Sequence, residues 1–358
     1  MAAAVIHSLE ESGRFEEAAR EYGYNLTVTY KQFPFAPELI ADASAGGIQI
    51  GTIATFPMLI QISQEQAIAP LHVSFGDWEF MIVVDKDGPI KDFDDLRGKT
   101  VGLAQGTTLQ EFFEVFSLLE LGGTPADLGI QIVQQPIPVA AMPPGIDAIV
   151  TYVPAWATLQ ERGNVDVLVN SFGETGPAYE GPLGSGAGHE VPSVNDSPFA
   201  PEGYVALRHF FNTFGGFERE HPDVVKAWLI AYQETLREFG EQEPSEVSEV
   251  FPEELWTSVP RDQYEELSIG RDLLYEHRDW IWPTDGELEI MVAETEFMVQ
   301  MGLLEAPLTK EQILAAFEPN LGILQEAYEE LGAYPEDDVF TDTDSGDVRG
   351  APVWDVIP

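Results

Sequence analysis

The stretch GPIKDFDDLRGKTVGLAQGTT (Gly88–Thr108) decides how this chain is read. Its polar half, DFDDLRGK (Asp92–Lys99), leads into Thr100–Ala104, short and apolar as a buried strand must be. Gln105-Gly106-Thr107-Thr108 then opens a helix that runs from Leu109 to Leu121 and stops at Gly122-Gly123. Strand, glycine turn and helix in direct succession form half of a βα unit.

The same alternation continues on both sides. Upstream, Ala2–Ser12 carries Val5, Ile6 and Leu9 on one helical face and stops at Gly13, and Asn25–Tyr30 alternates as a half-buried strand. A short helix over Glu38–Ala45 precedes the strand Ile48–Ala54; Thr55 followed by Phe56-Pro57 and Met58–Ile62 is a helix start. Leu71–Phe75 and Phe80–Val84 read as strands. Downstream, Ile130–Gln134, Asp147–Thr151 and Val165–Val169 are strands, with a helix over Pro154–Arg162. Strands spaced by such helices predict an α/β fold of mostly parallel sheets with helices on both faces.

Residues Ser171–Gly203 are rich in Gly, Pro and Ser, as functional or mobile loops are. Tyr204–Leu207 is expected as a strand. Helices follow at Asp223–Phe239, Arg261–His277, Asp285–Met301, Thr309–Phe317 and Leu321–Leu331. Residues 331–358 form an acidic tail.

At 358 residues the chain exceeds one ordinary domain, so two lobes with separate cores are expected. Acids outnumber bases 62 to 17, a formal charge of −45, and only six bases are Lys. Such a surface repels itself at low ionic strength, whereas at about 1 M salt the Debye length shrinks to roughly 3 Å. The acids are spread along most of the chain, which points to adaptation to molar salt rather than to an acidic interaction tail. Nucleic acid is excluded as a partner because no Lys/Arg surface is available to neutralise phosphates. With no cysteine, disulfides, thiolate metal sites and Cys nucleophiles are absent, and the six histidines lack metal-ligand spacing. No metal and no cofactor are expected. No apolar run is long enough to span a bilayer, and no signal peptide is visible.

Four segments together resemble the nitrate/sulfonate/taurine-binding family of ABC-transporter substrate-binding proteins. They are LIADASAGGIQIGTIATFP (Leu39–Pro57), GPIKDFDDLRGKTVGLAQGTT (Gly88–Thr108), PPGIDAIVTYVPAW (Pro143–Trp156) and FEREHPDVVKAWLIAY (Phe217–Tyr232). DLRGK alone would carry little; the ordered set is specific. Gln49 stands where the family has Asp, which implies the loss of a local turn contact. The resemblance also implies a signal sequence and first strand ahead of residue 1, so the chain is expected to be truncated at its start.

The resemblance implies the type II periplasmic-binding fold, two α/β lobes around a cleft. Lobe one would comprise residues 1–87 and 203–330, lobe two residues 88–202, with crossovers near Asp85–Lys91 and Pro198–Tyr204. The implied protein is not an enzyme. It is a monomeric, extracellular binding component, secreted or lipid-anchored, that hands a small organic anion or zwitterion to a membrane permease and its ATPase.

Ligands of open α/β sheets bind beyond the carboxyl ends of strands. Three loops qualify: Ala54-Thr55-Phe56, Gly106-Thr107-Thr108 and Tyr152–Trp156. Helix N-termini with hydroxyls receive anions without a counter-cation, although each Thr can equally serve only as a helix cap. Gly76-Asp77-Trp78-Glu79 could hold an ammonium at Asp77 and cover it with Trp78, while Glu79 reads as a solvated acid. Phe33, Phe35, Phe56, Trp78, Tyr152 and Trp156 suggest an apolar or aromatic portion in the ligand. No Arg or Lys lies in these loops, so no guanidinium clamp is expected. The competing reading is a same-fold enzyme of thiamine-pyrimidine or menaquinone biosynthesis. The thiamine-type Cys motif is impossible here, and no catalytic constellation is visible. A transcription-factor effector domain would need a helix-turn-helix, which is missing.

Overall fold

Eight strands among the described residues form two separate sheets, and the chain passes between them twice. The computed structural model describes residues 2–33, 35–76, 79–135, 141–152, 155, 156, 159, 164–176, 190–197, 199, 203–205, 208–251, 261–265, 269 and 285–332. Helices α1 (Ala2–Ser12), α2 (Arg14–Glu21) and α3 (Ala36–Ser44) precede β1 (Ile50–Ala54), α4 (Thr55–Ser63) and β2 (Ile68–Gly76). Then come β3 (Phe80–Asp85), β4 (Thr100–Leu103), α5 (Thr108–Leu121), β5 (Gln131–Gln134), β6 (Ala148–Tyr152) and β7 (Val165–Asn170). The return strand β8 (Arg208–Phe214) is followed by the long helices α6 (Pro222–Gly240), α7 (Asp285–Gln300) and α8 (Lys310–Leu331).

The smaller sheet has the order β1-β8-β2 and the larger β5-β4-β6-β3-β7. In each, one strand runs against the rest. β8 is antiparallel to both β1 and β2, and β3 is antiparallel to both β6 and β7. The remaining strands of each sheet share one direction, with β4 parallel to β5 and β6. The expectation of mostly parallel sheets thus holds for strand direction, while most ladders are antiparallel because each reversed strand sits inside its sheet. Those two strands are where the chain has just crossed from the other sheet.

Several sequence expectations shift. Phe80–Val84 was expected in lobe one, but its hydrogen bonds go to β6 and β7, so the first crossing falls between Gly76 and Phe80 rather than near Asp85–Lys91. Asn25–Tyr30 keeps its alternation, with Leu26, Val28 and Tyr30 half-buried against the α6 core, yet it pairs with no strand among the described residues. Its period-2 signal reports packing on apolar side chains, not a ladder. The expected strand Tyr204–Leu207 lies partly outside the described residues, and the return strand begins at Arg208. RHFFNTF is buried on both faces, which erases the alternation that would have revealed it. The two helices expected around Pro319 are one, α8. Asn320 anchors that helix by donating to Ala69 O (2.9 Å), Pro70 O (3.1 Å) and Thr213 Oγ1 (3.0 Å).

The quoted stretch Gly88–Thr108 is largely scaffold. Asp92 and Asp95 cap one another's backbone across the turn Phe93–Leu96. Arg97 donates to Leu121 O at 2.7 Å, closing the C-terminus of α5, and Gly98 takes φ 71, which favours glycine. Asp147 accepts from Thr100 N at 2.9 Å, fixing β4 beside β6. Gln49 donates to Gly46 O at 2.8 Å, so the turn contact expected to be lost is supplied by the amide.

The larger sheet buries Phe80, Ile82, Val84, Ala148 and Val150 against α5, and Met81, Val83 and Ile149 on its other face. The smaller sheet packs Ile53 and Phe210 under α3, α4, α7 and α8, and Leu71 and Phe211 under α1 and α6. Helix α7 joins both cores. Leu288, Met291 and Met298 belong to the smaller sheet's core, whereas Phe297 belongs to the core beneath α5.

Candidate ligand-binding cleft

Helices α4 and α5 each begin at the carboxyl end of a strand, one from each sheet, and pack against one another. Their first residues are Thr55 and Thr108, both buried at 4% and 5% exposure. A third helix start, that of α3, closes in as well. A Cβ at Gly106 (φ 75) would stand 3.3 Å from Pro37 Cγ, and half-buried Phe35 packs into the core under α5. Three helix N-termini with outward N–H groups therefore meet where the sheets approach, a geometry suited to an anion.

The three threonines are not equivalent. Thr107 is the N-cap of α5; its hydroxyl donates to Ala104 O (2.7 Å) and accepts from Leu109 N (3.3 Å). Thr55 donates to Arg208 O at 2.9 Å, tying α4 to the return strand. The Thr108 hydroxyl is buried and has no hydrogen-bond partner among the described residues. Gly106 N donates to Gln110 Oε1 (2.8 Å), whose amide donates to Glu114 Oε1 (2.8 Å).

Tyr152 ends β6 half-buried on the α5 side of its sheet, and burial pushes its hydroxyl pKa up. Trp156 is not beside it. It packs with Met81, Val83 and Ile149 on the face of the sheet away from α5, so the expected wall position is corrected to a core position. Gly76 ends β2 and pairs with Arg208. Asp77 and Trp78 lie outside the described residues.

Glu79, expected as a solvated acid, is fully buried. Its carboxylate accepts from Asn170 Nδ2 (2.9 Å), which also donates to Glu174 Oε2 (2.8 Å). Beside them Phe80 and Ser171 exchange hydrogen bonds, and Tyr204 N donates to Ser171 O at 2.8 Å. A Cβ at Gly203 (φ 104) would come 2.2 Å from Ser171 O, so only glycine fits this approach. Phe80, at the start of β3, and Tyr204, shortly before β8, are thus both tied to Ser171.

Two features escaped the sequence. Arg208 and Glu287 form a buried ion pair (Nε to Oε1, 3.3 Å) at the Thr55 end. Arg208 lies outside every loop signal, and only the β8 register places it opposite Gly76. The second is a group of buried carboxyls, Glu111 and Glu114 on α5 and Glu294 on α7. Burial first, then Glu294 and Glu114, raise Glu111 well above the usual carboxylate range. Burial lifts Glu294 to about 8 and Glu114 to about 7, the latter against an opposing hydrogen bond from Gln110. Among the described residues neither Glu294 oxygen has an aligned donor, and burial of the facing Glu111–Glu294 pair disfavours its charged form. An acid on an apolar helix face gives no sequence signal unless its neighbour on another helix is known.

Two sheets joined by two adjacent crossings, each with one reversed strand and with helix starts converging between them, define the periplasmic-binding fold. Solved structures share it across nearly the whole chain. The periplasmic nitrate-binding protein NrtA from Synechocystis superposes with TM-score 0.62 at 15% identity, covering 94% of this chain and 88% of that one. The alkanesulfonate-binding protein SsuA from Xanthomonas axonopodis, bound to MOPS, gives 0.60 at 14% identity over 88% and 94%. The periplasmic sulfonate-binding SsuA from Methylobacillus flagellatus gives 0.59 at 16% identity over 93% and 89%. No family model matches the sequence, and no curated protein matches it.

Proposed function

We propose that this chain is the extracytoplasmic binding component of an ABC importer. It captures a small organic anion or zwitterion of the sulfonate, taurine or nitrate kind and releases it to a permease–ATPase complex. It binds without turning its ligand over, acts as a monomer on the outer face of the membrane, and works in molar salt. One lobe is built around the sheet of β1, β8 and β2 and the other around the sheet of β5, β4, β6, β3 and β7. The observation that carries this reading is the Thr108 hydroxyl: buried at a helix N-terminus and unmatched by any group among the described residues. A buried hydroxyl without a partner costs about 1–3 kcal/mol, a cost that an anionic head group removes. In this reading Gly106, Thr107, Phe35, Thr55, Gly76 and Tyr152 build the walls around that position.

Mass spectrometry of small molecules released from protein purified in molar KCl tests this directly. An organic sulfonate, a related zwitterion or nitrate, with scattering that shows a more compact particle when the ligand is restored, is the expected result. A co-purified nucleotide or a substrate consumed on incubation would overturn it.

A further inference from the structure

Arg208 is the one Lys or Arg in the buried class among the described residues, in a chain with 17 such residues. Its place is specific. It opens β8, pairs with Gly76 at the end of β2, and gives its carbonyl to Thr55. Phe210 and Phe214, on alternate positions of the same strand, enter the core formed with Phe56, Leu288 and Met291. Arg208 shares their period and stands at the carboxyl edge of the smaller sheet, between the starts of α4 and α7. Glu287, the third residue of α7, meets it at 3.3 Å, with side-chain exposures of 7% and 2%.

A buried ion pair is a poor stabilising device, because desolvation of two charges offsets most of their attraction. Placing one beside two helix N-termini that already favour negative charge makes the local environment one for a single anion, and Glu287 supplies it. We infer that Arg208 recognises the ligand's anionic group, and that Glu287 is an internal competitor holding the guanidinium until that group replaces it. This rests on the ligand-capture reading and deepens it. Selectivity then follows from exchange: a planar or tetrahedral oxyanion that engages the guanidinium fork through two oxygens can displace a carboxylate, whereas a monoatomic halide cannot match that geometry. In molar chloride the internal carboxylate keeps the site from filling with the commonest anion.

The test uses the full chain and two oxyanion probes, nitrate and methanesulfonate, exchanged for chloride at fixed molar ionic strength. Glu287→Gln keeps the shape and removes the competing charge. Its calorimetric affinity for at least one probe should rise about tenfold over the parent, with a matching rise in melting midpoint. The Arg208→Gln/Glu287→Gln double variant, which removes both charges of the pair, should lose that gain. Equal or weaker probe binding by Glu287→Gln, while the parent binds, overturns the competitor and leaves ligand capture standing. Tighter binding that persists in the double variant overturns the role of Arg208. If no variant binds either probe, this inference fails, and ligand capture fails with it only when the released-ligand experiment is also empty.

Discussion

The starts of α4 and α5 look alike in sequence and differ in the structure. Each follows a strand end, each begins with Thr, and each hydroxyl is buried. At α4 the hydroxyl donates to Arg208 O; at α5 the cap is Thr107, and Thr108 has no partner among the described residues. The Thr55 hydroxyl is finished by the protein, whereas none of the described residues finishes that of Thr108. A threonine at a helix start is therefore no guide to function until the partner of its hydroxyl is known.

The largest expected effect would break both ends together. With a charge of −45, the lobes repel themselves at 0.1 M salt, and the melting midpoint should climb steeply toward molar KCl. A flat profile would remove the high-salt reading.

The finished end should be costly to disturb. Arg208→Leu removes one charge of a buried ion pair and should destabilise the fold by about 3–5 kcal/mol in denaturant unfolding. Replacing Glu287 with Leu as well should recover most of that loss. A single variant that unfolds like the parent would show the pair to be solvated, and the α4 end no more finished than its counterpart.

The α5 end should instead respond to pH. Glu111, Glu114 and Glu294 all have folded pKa values above their unfolded ones, so their contribution is fully present below about 4.5. It is lost as pH rises toward about 8, the value for Glu294. Stability measured at constant molar salt should therefore fall between pH 5 and 8, and Glu294→Gln should flatten the curve. A rise over this window would mean that the carboxyls are charged and paired in the native state.

Among the smaller effects, Thr55→Ala should cost about 1 kcal/mol by removing one hydrogen bond from β8. No change at all would put Thr55 on the same footing as Thr108.

The fold was legible because its capping chemistry is local. Asp92 and Gly98 act within one turn and Asp147 on the neighbouring strand, whereas Arg97 reaches Leu121 at the far end of α5. The three helix starts at the cleft were legible for the same reason. What stayed hidden depends on distant partners. Arg208 and Glu287 are far apart in sequence and meet only through the β8 register and the docking of α7. Trp156 was misplaced because a strand end does not say which face its following helix covers. The return strand was missed because burial on both faces leaves no alternation.

The central claim, that the unmatched hydroxyl at α5 belongs to a ligand, is tested most directly by Thr108→Val. Valine keeps the shape and removes the buried oxygen. Parent and variant are titrated calorimetrically with taurine, MOPS and nitrate in molar KCl, and their melts are compared. The account predicts a melt unchanged or raised by up to about 1 kcal/mol, together with a tenfold to hundredfold loss of affinity for whichever anion the parent binds. Equal affinity in the two proteins, or a variant that loses stability without losing binding, would contradict it.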